Sequence, residues 1–247
     1  MNATWWKTQS DRGPFTGYGL ERKVPREVKG LIRLLRLKDP KAILDLCCGS
    51  GRHAIPLALL GHDVTGFDWS RRLLAEARRA ARRSGVSLNL VRGDARRLPF
   101  RGRFDVVINM FTSFGYSESE DEDLRVLRGV RKSLKKGGSF LIDVLNREWL
   151  VRHFSPSFSQ RKSEGGIIKA SHRQDFDLRT GRLTTERSLL LVDGKVVRSV
   201  LSFTVYSLRE LSRLLEAAGL RLEGTYGDFA GRPYGLDTKR MILVART

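Results

Sequence analysis

Cysteine, histidine and long apolar runs are scarce in this chain of 247 residues, and each scarcity excludes a class of protein. The two cysteines, Cys47 and Cys48, are adjacent, which is unsuited to a disulfide framework and favours a reducing cytoplasm. The four histidines show no metal-ligand spacing, so no metal site is expected. No apolar run approaches the roughly 20 residues of a membrane helix, and the first residues lack the pattern of a secretory signal.

Acidic residues are also few: 27 Asp+Glu stand against 46 Lys+Arg, which gives a formal net charge of +19. A basic surface of this kind binds nucleic-acid phosphates in some proteins and is only an arginine-rich, solvated surface in others. The segment 71–83 is compatible with both interpretations. Its arginines are spaced as on a solvent-exposed helix face, and such a face could also bind RNA phosphates. Charge alone therefore does not identify a partner.

Strand and helix patterns alternate along most of the chain, which is typical of an α/β domain with a mostly parallel sheet flanked by helices. Helices are predicted over 26–37, 53–61, 71–83, 119–136 and 207–218. Strands are predicted over 41–46, 62–68, 86–94, 104–111, 139–145, 220–227 and 239–245. One domain spanning 1–247 is the expected organisation.

Residues 148–206 depart from this alternation. Three strands are predicted there, over 166–177, 182–192 and 196–206, and short turn segments of hairpin type join them. The sequence therefore predicts an antiparallel β insert between the fifth strand and the last helix. Its expected role is to wall a substrate pocket or to form an oligomer contact.

The segment Ile43 to His53, ILDLCCGSGRH, predicts a buried strand that leads through a glycine-rich turn into a helix. Gly49 and Gly51 allow the backbone to approach a ligand closely, and the helix that follows offers free N–H groups. No Gly-Lys-Ser/Thr follows, and Ala54 replaces the third glycine of a full dinucleotide fingerprint. The turn alone is weak evidence for a nucleotide site.

Three polar residues at the ends of neighbouring strands strengthen this interpretation. Asp68 ends the strand after the glycine-rich turn, where nucleotide-binding sheets place a carboxylate against ribose hydroxyls. Asp94 follows the third strand and Asn109 ends the fourth. Because ligands bind at the carboxyl ends of strands in doubly wound sheets, we expect these residues to share one site.

With these motifs, and with FDVVINMFTSFGY and LKKGGSFLIDV downstream, the sequence resembles the class I S-adenosylmethionine-dependent methyltransferases. The resemblance is strongest to small-molecule N-methyltransferases, namely the amino-sugar dimethyltransferases and glycine methyltransferase-like enzymes. It implies a Rossmann-like, mostly parallel seven-stranded sheet and S-adenosyl-L-methionine as cofactor. The histidine that precedes a Gly-Gly turn in those relatives is absent here, since Lys136 precedes Gly137.

The resemblance also implies roles for the residues of the strand ends. Asp45, Gly49 and Gly51 would line the methionine and ribose part of the cofactor. Asn109 would lie under the sulfonium end. A cofactor lid is implied for the N-terminal segment 1–25.

The remaining cofactor contacts implied by the resemblance concern ribose and adenine. Asp68 would bind the ribose hydroxyls, with Trp69 flanking the adenine. Asp94 would accept a hydrogen bond from the adenine amino group, and the N–H of Ala95 would lie beside the ring.

Residues on the acceptor side are less well specified by the sequence. Tyr116, just past the fourth strand, is the first catalytic candidate, and Tyr18 in the N-terminal segment is the second. Thr112, Tyr206 and Arg240 are weaker candidates for substrate contacts. A lid or dimer contact is also open for Trp5 and Trp6.

The sequence thus predicts in-line methyl transfer to a nitrogen or oxygen of a small molecule, catalysed by positioning. Two alternatives remain: a tRNA or rRNA methyltransferase that uses the basic surface, and a cofactor-binding module without catalysis. A monomer or homodimer in the cytoplasm, without membrane contact, is expected.

Overall fold

The computed structural model describes residues 23–161 and 167–247. Within these two stretches the chain forms six α-helices: α1 (Val24–Leu34), α2 (Ala54–Leu59), α3 (Arg71–Arg83), α4 (Glu120–Ser133), α5 (Arg147–Arg152) and α6 (Leu208–Ala217). The strands of the same stretches are β1 (Ala42–Leu46), β2 (Asp63–Asp68), β3 (Asn89–Arg92), β4 (Phe104–Asn109), β5 (Leu134–Leu145), β6 (Ser157–Arg161), β7 (Ile167–Asp177), β8 (Arg182–Leu191), β9 (Val196–Thr204), β10 (Arg221–Tyr226) and β11 (Arg240–Arg246).

Seven strands form one sheet in the order β10-β11-β5-β4-β1-β2-β3. The first five strands of the chain pair in parallel, and β11 runs antiparallel to both β5 and β10. The predicted mostly parallel, seven-stranded Rossmann-like sheet is therefore confirmed. The strand order reverses between β1 and β4, and their carboxyl ends border the crevice in which ligands bind in such sheets.

Each face of the large sheet has its own apolar core, because successive strand residues point to opposite faces. Ile43 packs with Leu31 of α1 and Leu57 of α2. Its neighbour Leu44 belongs to the opposite cluster, with Leu127 of α4. Full burial of such side chains stabilises the fold by roughly 1.5–3 kcal/mol each, so the cores on both faces hold the strand ends in a fixed frame.

Serine side chains begin three of the helices. The Oγ of Ser70 accepts a hydrogen bond from the N–H of Leu73 at 3.2 Å and starts α3. Ser119 does the same for α4, and Ser207 forms a reciprocal capping box with Glu210 at α6. Such caps stabilise the helices by about 1 kcal/mol each. Because Ser70 fixes where α3 begins, this helix has the predicted bounds 71–83.

A second, four-stranded antiparallel sheet lies between β5 and α6 in the order β6-β7-β8-β9. The predicted insert is therefore present, but the prediction of three strands in it was wrong. Residues 157–161, SFSQR, add a fourth strand by pairing with β7, and the short helix α5 precedes it. A single apolar residue, Phe158, gives that strand too little alternation to be recognised.

The ends of several predicted elements also differ from the structure. The fifth strand begins at Leu134 and not at residue 139, so the helix predicted over 119–136 ends at Ser133. The fourth strand ends at Asn109 and not at residue 111, because Phe111 and Thr112 both adopt left-handed backbone with φ of 59° and 58°. The third strand covers only Asn89–Arg92 of the predicted 86–94. The early end of β4 turns the following loop over the carboxyl edge of the sheet.

Candidate active site

A cavity of about 1240 Å³ opens at the carboxyl edge of the large sheet. The strand ends of β1 and β2 and the loop after β4 form its floor, and β8 and β9 of the insert contribute a wall. Single small-molecule sites measure roughly 300–1,000 Å³, so this cavity has room for two ligands side by side.

The glycine-rich turn after β1 is held in an unusual backbone conformation. Cys47, Gly49 and Gly51 all have positive φ, at 62°, 55° and 81°. The N–H groups of Cys47 and Cys48 both donate to the carbonyl oxygen of Phe67, at 2.7 and 3.1 Å. These bonds fix the turn against β2, and both glycines line the cavity as predicted for a close backbone approach.

Asp45, near the end of β1, carries a buried carboxylate with an unsatisfied oxygen. Its Oδ2 has no hydrogen-bond partner among the described residues, and the side chain lies on the cavity wall. Burial raises the pKa of Asp45 to about 6, although the charges of His53 and Arg52 oppose the shift. An unsatisfied buried acceptor is costly, so this oxygen is suited to a ligand with a cationic or N–H donor.

Asp68 lies at the end of β2 and connects the turn to the next helix. Its Oδ2 accepts a hydrogen bond from the N–H of Gly49 at 2.9 Å, and Oδ1 accepts from Ser70 at 2.8 Å. Trp69 follows on the cavity wall, with the guanidinium of Arg92 5.2 Å from its ring centre. The carboxylate and the indole thus share one side of the cavity.

Asp94 and Ala95 also line the cavity, but Asp94 has a strong partner that the sequence did not reveal. Nη2 of Arg96 donates to Oδ2 of Asp94 at 2.6 Å, and Nη1 of Arg96 donates to Glu122 of α4 at 2.7 Å. A ligand at Asp94 would therefore have to share this carboxylate with Arg96.

Asn109 is buried behind the cavity and is not part of its wall. Its Nδ2 donates to the carbonyl oxygens of Leu46 at 3.1 Å and Ser113 at 3.3 Å. The side chain thus ties the end of β1 to the loop after β4. This placement gives the side chain of Asn109 a supporting position, and the contact of the residue under the sulfonium end stays a prediction.

A charged group on α1 was missed by sequence reasoning. Oε2 of Glu27 accepts from Nη1 of Arg52 at 2.6 Å and lies 2.9 Å from Nε2 of His53. Burial would raise the pKa of Glu27, but the hydrogen bond from His53 and the charge of Arg52 outweigh it and lower the pKa. Twenty-five residues separate Glu27 from Arg52, so only the packing of α1 brings them together.

Tyr116 and Thr112 both line the cavity in the loop after β4. The Tyr116 ring packs edge-on against Phe203 of β9, with ring centres 5.6 Å apart. Burial raises the pKa of Tyr116 well above its usual range, so its hydroxyl stays protonated near neutral pH. Tyr116 can therefore donate or accept a hydrogen bond but does not act as a phenolate.

Arg240 and Tyr206 differ in where the structure places them. Arg240 reaches the cavity from the start of β11, as predicted for a substrate contact. Tyr206 is packed in the core, where its hydroxyl donates to Oδ2 of Asp123 at 2.8 Å and its ring lies beside Phe114. The structure does not bring Tyr206 to the cavity wall, because this buried hydrogen bond turns it toward α4.

A family model described as a methyltransferase domain matches residues 43–138. The dTDP-3-amino-3,6-dideoxy-alpha-D-glucopyranose N,N-dimethyltransferase of Streptomyces fradiae is 30% identical over 219 residues, which cover 84% of this chain and 81% of the relative. The chain belongs to the S-adenosylmethionine-dependent methyltransferase family. This methyltransferase is also 29% identical over 208 residues to the cypemycin N-terminal methyltransferase of a Streptomyces species, with 83% of each chain covered.

The solved structure of an S-adenosylmethionine-dependent methyltransferase from Clostridium acetobutylicum matches the fold with a TM-score of 0.81. It is 18% identical and covers 90% of this methyltransferase and 91% of that chain. The comparison confirms the fold class. Membership of the family confirms S-adenosyl-L-methionine as the cofactor and methyl transfer as the reaction.

The residues of the cavity fit this cofactor. The unsatisfied Oδ2 of Asp45 suits the ammonium of its methionine part, and three carboxylates along β1 to β3 suit its donor groups. The candidate residues Tyr18, Trp5 and Trp6 lie outside the described residues. Within 23–161 and 167–247, no helix is long and apolar enough to span a membrane, and no group of three or more His, Cys, Asp or Glu side chains could hold a metal ion.

Proposed function

We propose that this methyltransferase moves the methyl group of S-adenosyl-L-methionine to a nitrogen of a small molecule. The observation that carries the proposal is the division of the cavity into two unlike parts. We call the part with Asp45, Gly49, Gly51, Asp68, Trp69, Asp94 and Ala95 the donor half. We call the part with Phe111, Thr112, Tyr116, Arg240 and the insert strands β8 and β9 the acceptor half.

In the donor half, each proposed role follows from the groups that the residue offers. Oδ2 of Asp45 accepts a hydrogen bond from the methionine ammonium. Asp68, already oriented by Gly49 and Ser70, accepts from the ribose hydroxyls. Asp94 accepts from the adenine amino group while Arg96 retains its second partner Glu122.

Adenine packing completes the proposed donor half. The ring of Trp69 lies on the cavity wall and flanks the adenine, and the N–H of Ala95 lies beside it. Asn109 supports the site from behind through the carbonyl oxygen of Leu46.

The acceptor half positions the methyl acceptor and excludes water from it. The bound cofactor supplies a methyl group on a cationic sulfur, so the protein does not need a covalent nucleophile. The apolar residues Leu189, Val197, Leu201 and Phe203 of the insert line the cavity and exclude water. Holding the reacting atoms in line then contributes several kcal/mol to the reduction of the barrier.

Nitrogen is the favoured acceptor atom because the cavity offers no phenolate base at Tyr116. An amine reacts from its free-base form, whereas a hydroxyl acceptor needs a base to take its proton. The protonated hydroxyl of Tyr116 instead orients the amine by a hydrogen bond. The names of both relatives also describe transfer to nitrogen.

Several further assignments belong to this proposal. Residues 1–247 act as one domain, residues 1–25 cover the donor half as a lid in which Tyr18 contacts the ligand, and the insert 148–206 walls the acceptor half. The enzyme works in the cytoplasm as a monomer or homodimer, in keeping with the free thiols of Cys47 and Cys48.

An RNA substrate is retained as a second candidate because of the basic face of α3. Arg79 and Arg83 reach the rim of the cavity and have no ion-pair partner among residues 23–161 and 167–247. Steeply salt-dependent binding to tRNA or rRNA in gel-shift titrations would favour this candidate over a small molecule.

Titration calorimetry and a transfer assay test the leading proposal. S-adenosylmethionine and its demethylated product should both bind with micromolar affinity, and labelled methyl groups should appear on amines of a small-molecule panel. Binding without transfer to any acceptor would instead support a module without catalysis. Absence of binding by either ligand would contradict both.

A further inference from the structure

We infer that the methyl acceptor is an amine that also carries an anionic group, and that Arg240 binds this group. The inference rests on the proposed function and names the substrate class of the same site. It makes Arg240 a specificity-determining residue of the acceptor half.

The position of Arg240 in the sheet assigns it to the acceptor half. It begins β11 and pairs with Leu145 at the end of β5. Three strand spacings separate β11 from β1 in the sheet, which at about 4.8 Å each places Arg240 about 14 Å from the strand of Asp45. The carboxylates assigned to ribose and adenine lie at the end of β2 and just after β3, and both strands lie beyond β1 in the sheet.

Tyr116 connects Arg240 to the proposed point of transfer. Burial raises the pKa of Tyr116, and the charge of Arg240 partly offsets this increase. Both side chains line the cavity. An anionic group held by Arg240 would therefore leave a neighbouring amine within reach of the Tyr116 hydroxyl.

Asp143 holds the guanidinium of Arg240 in one orientation. Nε of Arg240 donates to Oδ1 of Asp143 at 2.7 Å, and Nη2 donates to the carbonyl oxygen of the same residue at 3.1 Å. Asp143 is only 2% exposed. Nη1 of Arg240 has no hydrogen-bond acceptor in the described parts of the chain, so it remains available as a preorganised donor.

Phe111 supports the face of this guanidinium. Its ring is 45% exposed, and the guanidinium carbons of Arg240 and Arg52 lie 5.5 and 5.2 Å from the ring centre. The N–H of Phe111 donates to Oδ2 of Asp143 at 2.9 Å, which holds the residue at its positive φ. Strained backbone of this kind persists where the surrounding structure enforces it, commonly at functional sites.

The insert adds positive charge to the same cavity. Arg187 and Arg198 are among the residues that β8 and β9 contribute to the lining, and no acidic residue of the described insert is among them. Asp143 offsets the formal charge of Arg240. Recognition of an anionic group by Arg240 therefore depends on its directed N–H donors and on the positive charge of the insert arginines. A guanidinium suits the paired oxygens of a carboxylate or a phosphate group.

Matched probes test the inference on the full chain saturated with S-adenosylhomocysteine. Calorimetric titrations compare phenylalanine with phenethylamine, and phosphoethanolamine with ethanolamine, with acetate and inorganic phosphate as simple anions. We expect the anionic member of at least one pair to bind ten or more times more tightly. The pair that shows the preference distinguishes a carboxylate from a phosphate ligand.

Variants assign the preference to Arg240. R240Q would leave the buried Asp143 without its ion-pair partner and could prevent folding, so D143N/R240Q removes both charges together. We expect the double variant to lose the preference at least tenfold and to bind S-adenosylhomocysteine as wild type does. R246Q, on the same strand and ion-paired to Glu223, is the matched control and should retain the preference.

Three outcomes would overturn the inference: equal binding within both pairs, no binding by any anionic probe, or an intact preference in D143N/R240Q. Methyl transfer is measured separately with labelled cofactor. Anion binding that depends on Arg240, without methylation of any amine, would contradict the proposed function and leave the anion subsite standing. Methylation of neutral and anionic amines at equal rates would support the proposed function and contradict the anion subsite.

Discussion

The two halves of the cavity are built in different ways. In the donor half, backbone N–H groups orient Asp68, which accepts from Gly49 and Ser70, both within nineteen residues of it. In the acceptor half, contacts join distant segments, such as Arg240 with Asp143 and Thr204 with Gly115. A local turn can therefore specify the donor half, whereas the acceptor half exists only when β9, β11 and the loop after β4 have packed together.

The largest expected effect is the loss of cofactor binding in D68A. Hydrogen bonds to charged groups contribute about 1.5–3 kcal/mol each, and loss of the proposed pair of ribose bonds then weakens the Kd for S-adenosylmethionine by at least roughly 100-fold. Calorimetry measures this change. D63A removes an exposed aspartate at the other end of the same strand and should leave Kd unchanged; equal affinity in D68A and D63A would remove Asp68 from the donor half.

G115A should damage the acceptor half and spare the donor half. A Cβ at Gly115 would lie 2.3 Å from the carbonyl oxygen of Thr204, and the residue has a φ of 88°. The loop that carries Tyr116 must then shift, and a misplacement of about 1 Å can cost on the order of 100-fold in rate. We expect kcat/KM for the acceptor to decrease on the order of 10- to 100-fold while the Kd of the cofactor stays constant.

The control for this loop variant is G102A. Gly102 also has positive φ, at 53°, but nothing lies within 4 Å of a Cβ there. It therefore separates the cost of the backbone conformation from the cost of the clash. Similar losses of activity in both variants would show that the contact with Thr204 does not position the loop.

Cofactor affinity should depend on pH through Asp45. Because burial raises the pKa of Asp45 to about 6, the carboxylate is charged above that pH and becomes protonated below it. Affinity for the cationic ligand is then complete above about pH 6 and decreases by up to tenfold for each pH unit below it. Calorimetry across this range should show proton release on binding in the acidic limb.

D45N tests the assignment of that pH dependence. It should bind the cofactor more weakly than wild type, with a nearly constant Kd across the same range. The effect of Asp45 on the stability of the wild-type fold has the opposite pH dependence to its effect on cofactor affinity. Its raised pKa stabilises the native state at acid pH, and this stabilisation is lost as the pH rises through 6. A sloping profile in D45N would assign the titration to another group.

The smallest expected effect is that of Y206F. Tyr206 donates a buried hydrogen bond to Asp123, and its loss should lower the free energy of unfolding by roughly 1–3 kcal/mol. KM for the acceptor should not change, because Tyr206 does not line the cavity. Denaturant unfolding and steady-state kinetics measure the two effects, and a raised KM without loss of stability would restore Tyr206 as a substrate contact.

Sequence reasoning succeeded where local chemistry determines the structure. Helix 71–83 was predicted with its observed bounds because Ser70 caps it and Gly85 follows it. Gly49 and Gly51 line the cavity as expected, because a glycine turn after a buried strand can be recognised without tertiary information, and Asp45 was implied by the family resemblance. The mostly parallel, seven-stranded sheet agreed with the family resemblance.

The failures involve contacts between distant residues. Neither the ion pair of Glu27 with Arg52 nor the hydrogen bond from the N–H of Phe111 to Asp143 leaves a periodic signal in the sequence. Tyr206 was predicted to contact substrate because it ends the insert, and only packing shows that its hydroxyl donates a hydrogen bond to Asp123. Specificity in the acceptor half thus depends on features that no short motif encodes.

The most direct test supplies methyl-labelled S-adenosylmethionine to the full chain together with paired anionic and neutral amines, and locates the label by mass spectrometry. The label should appear on nitrogen, preferentially in the anionic amines, and the preference should disappear in D143N/R240Q. Label on oxygen, label on added tRNA alone, or no transfer despite cofactor binding would contradict this account.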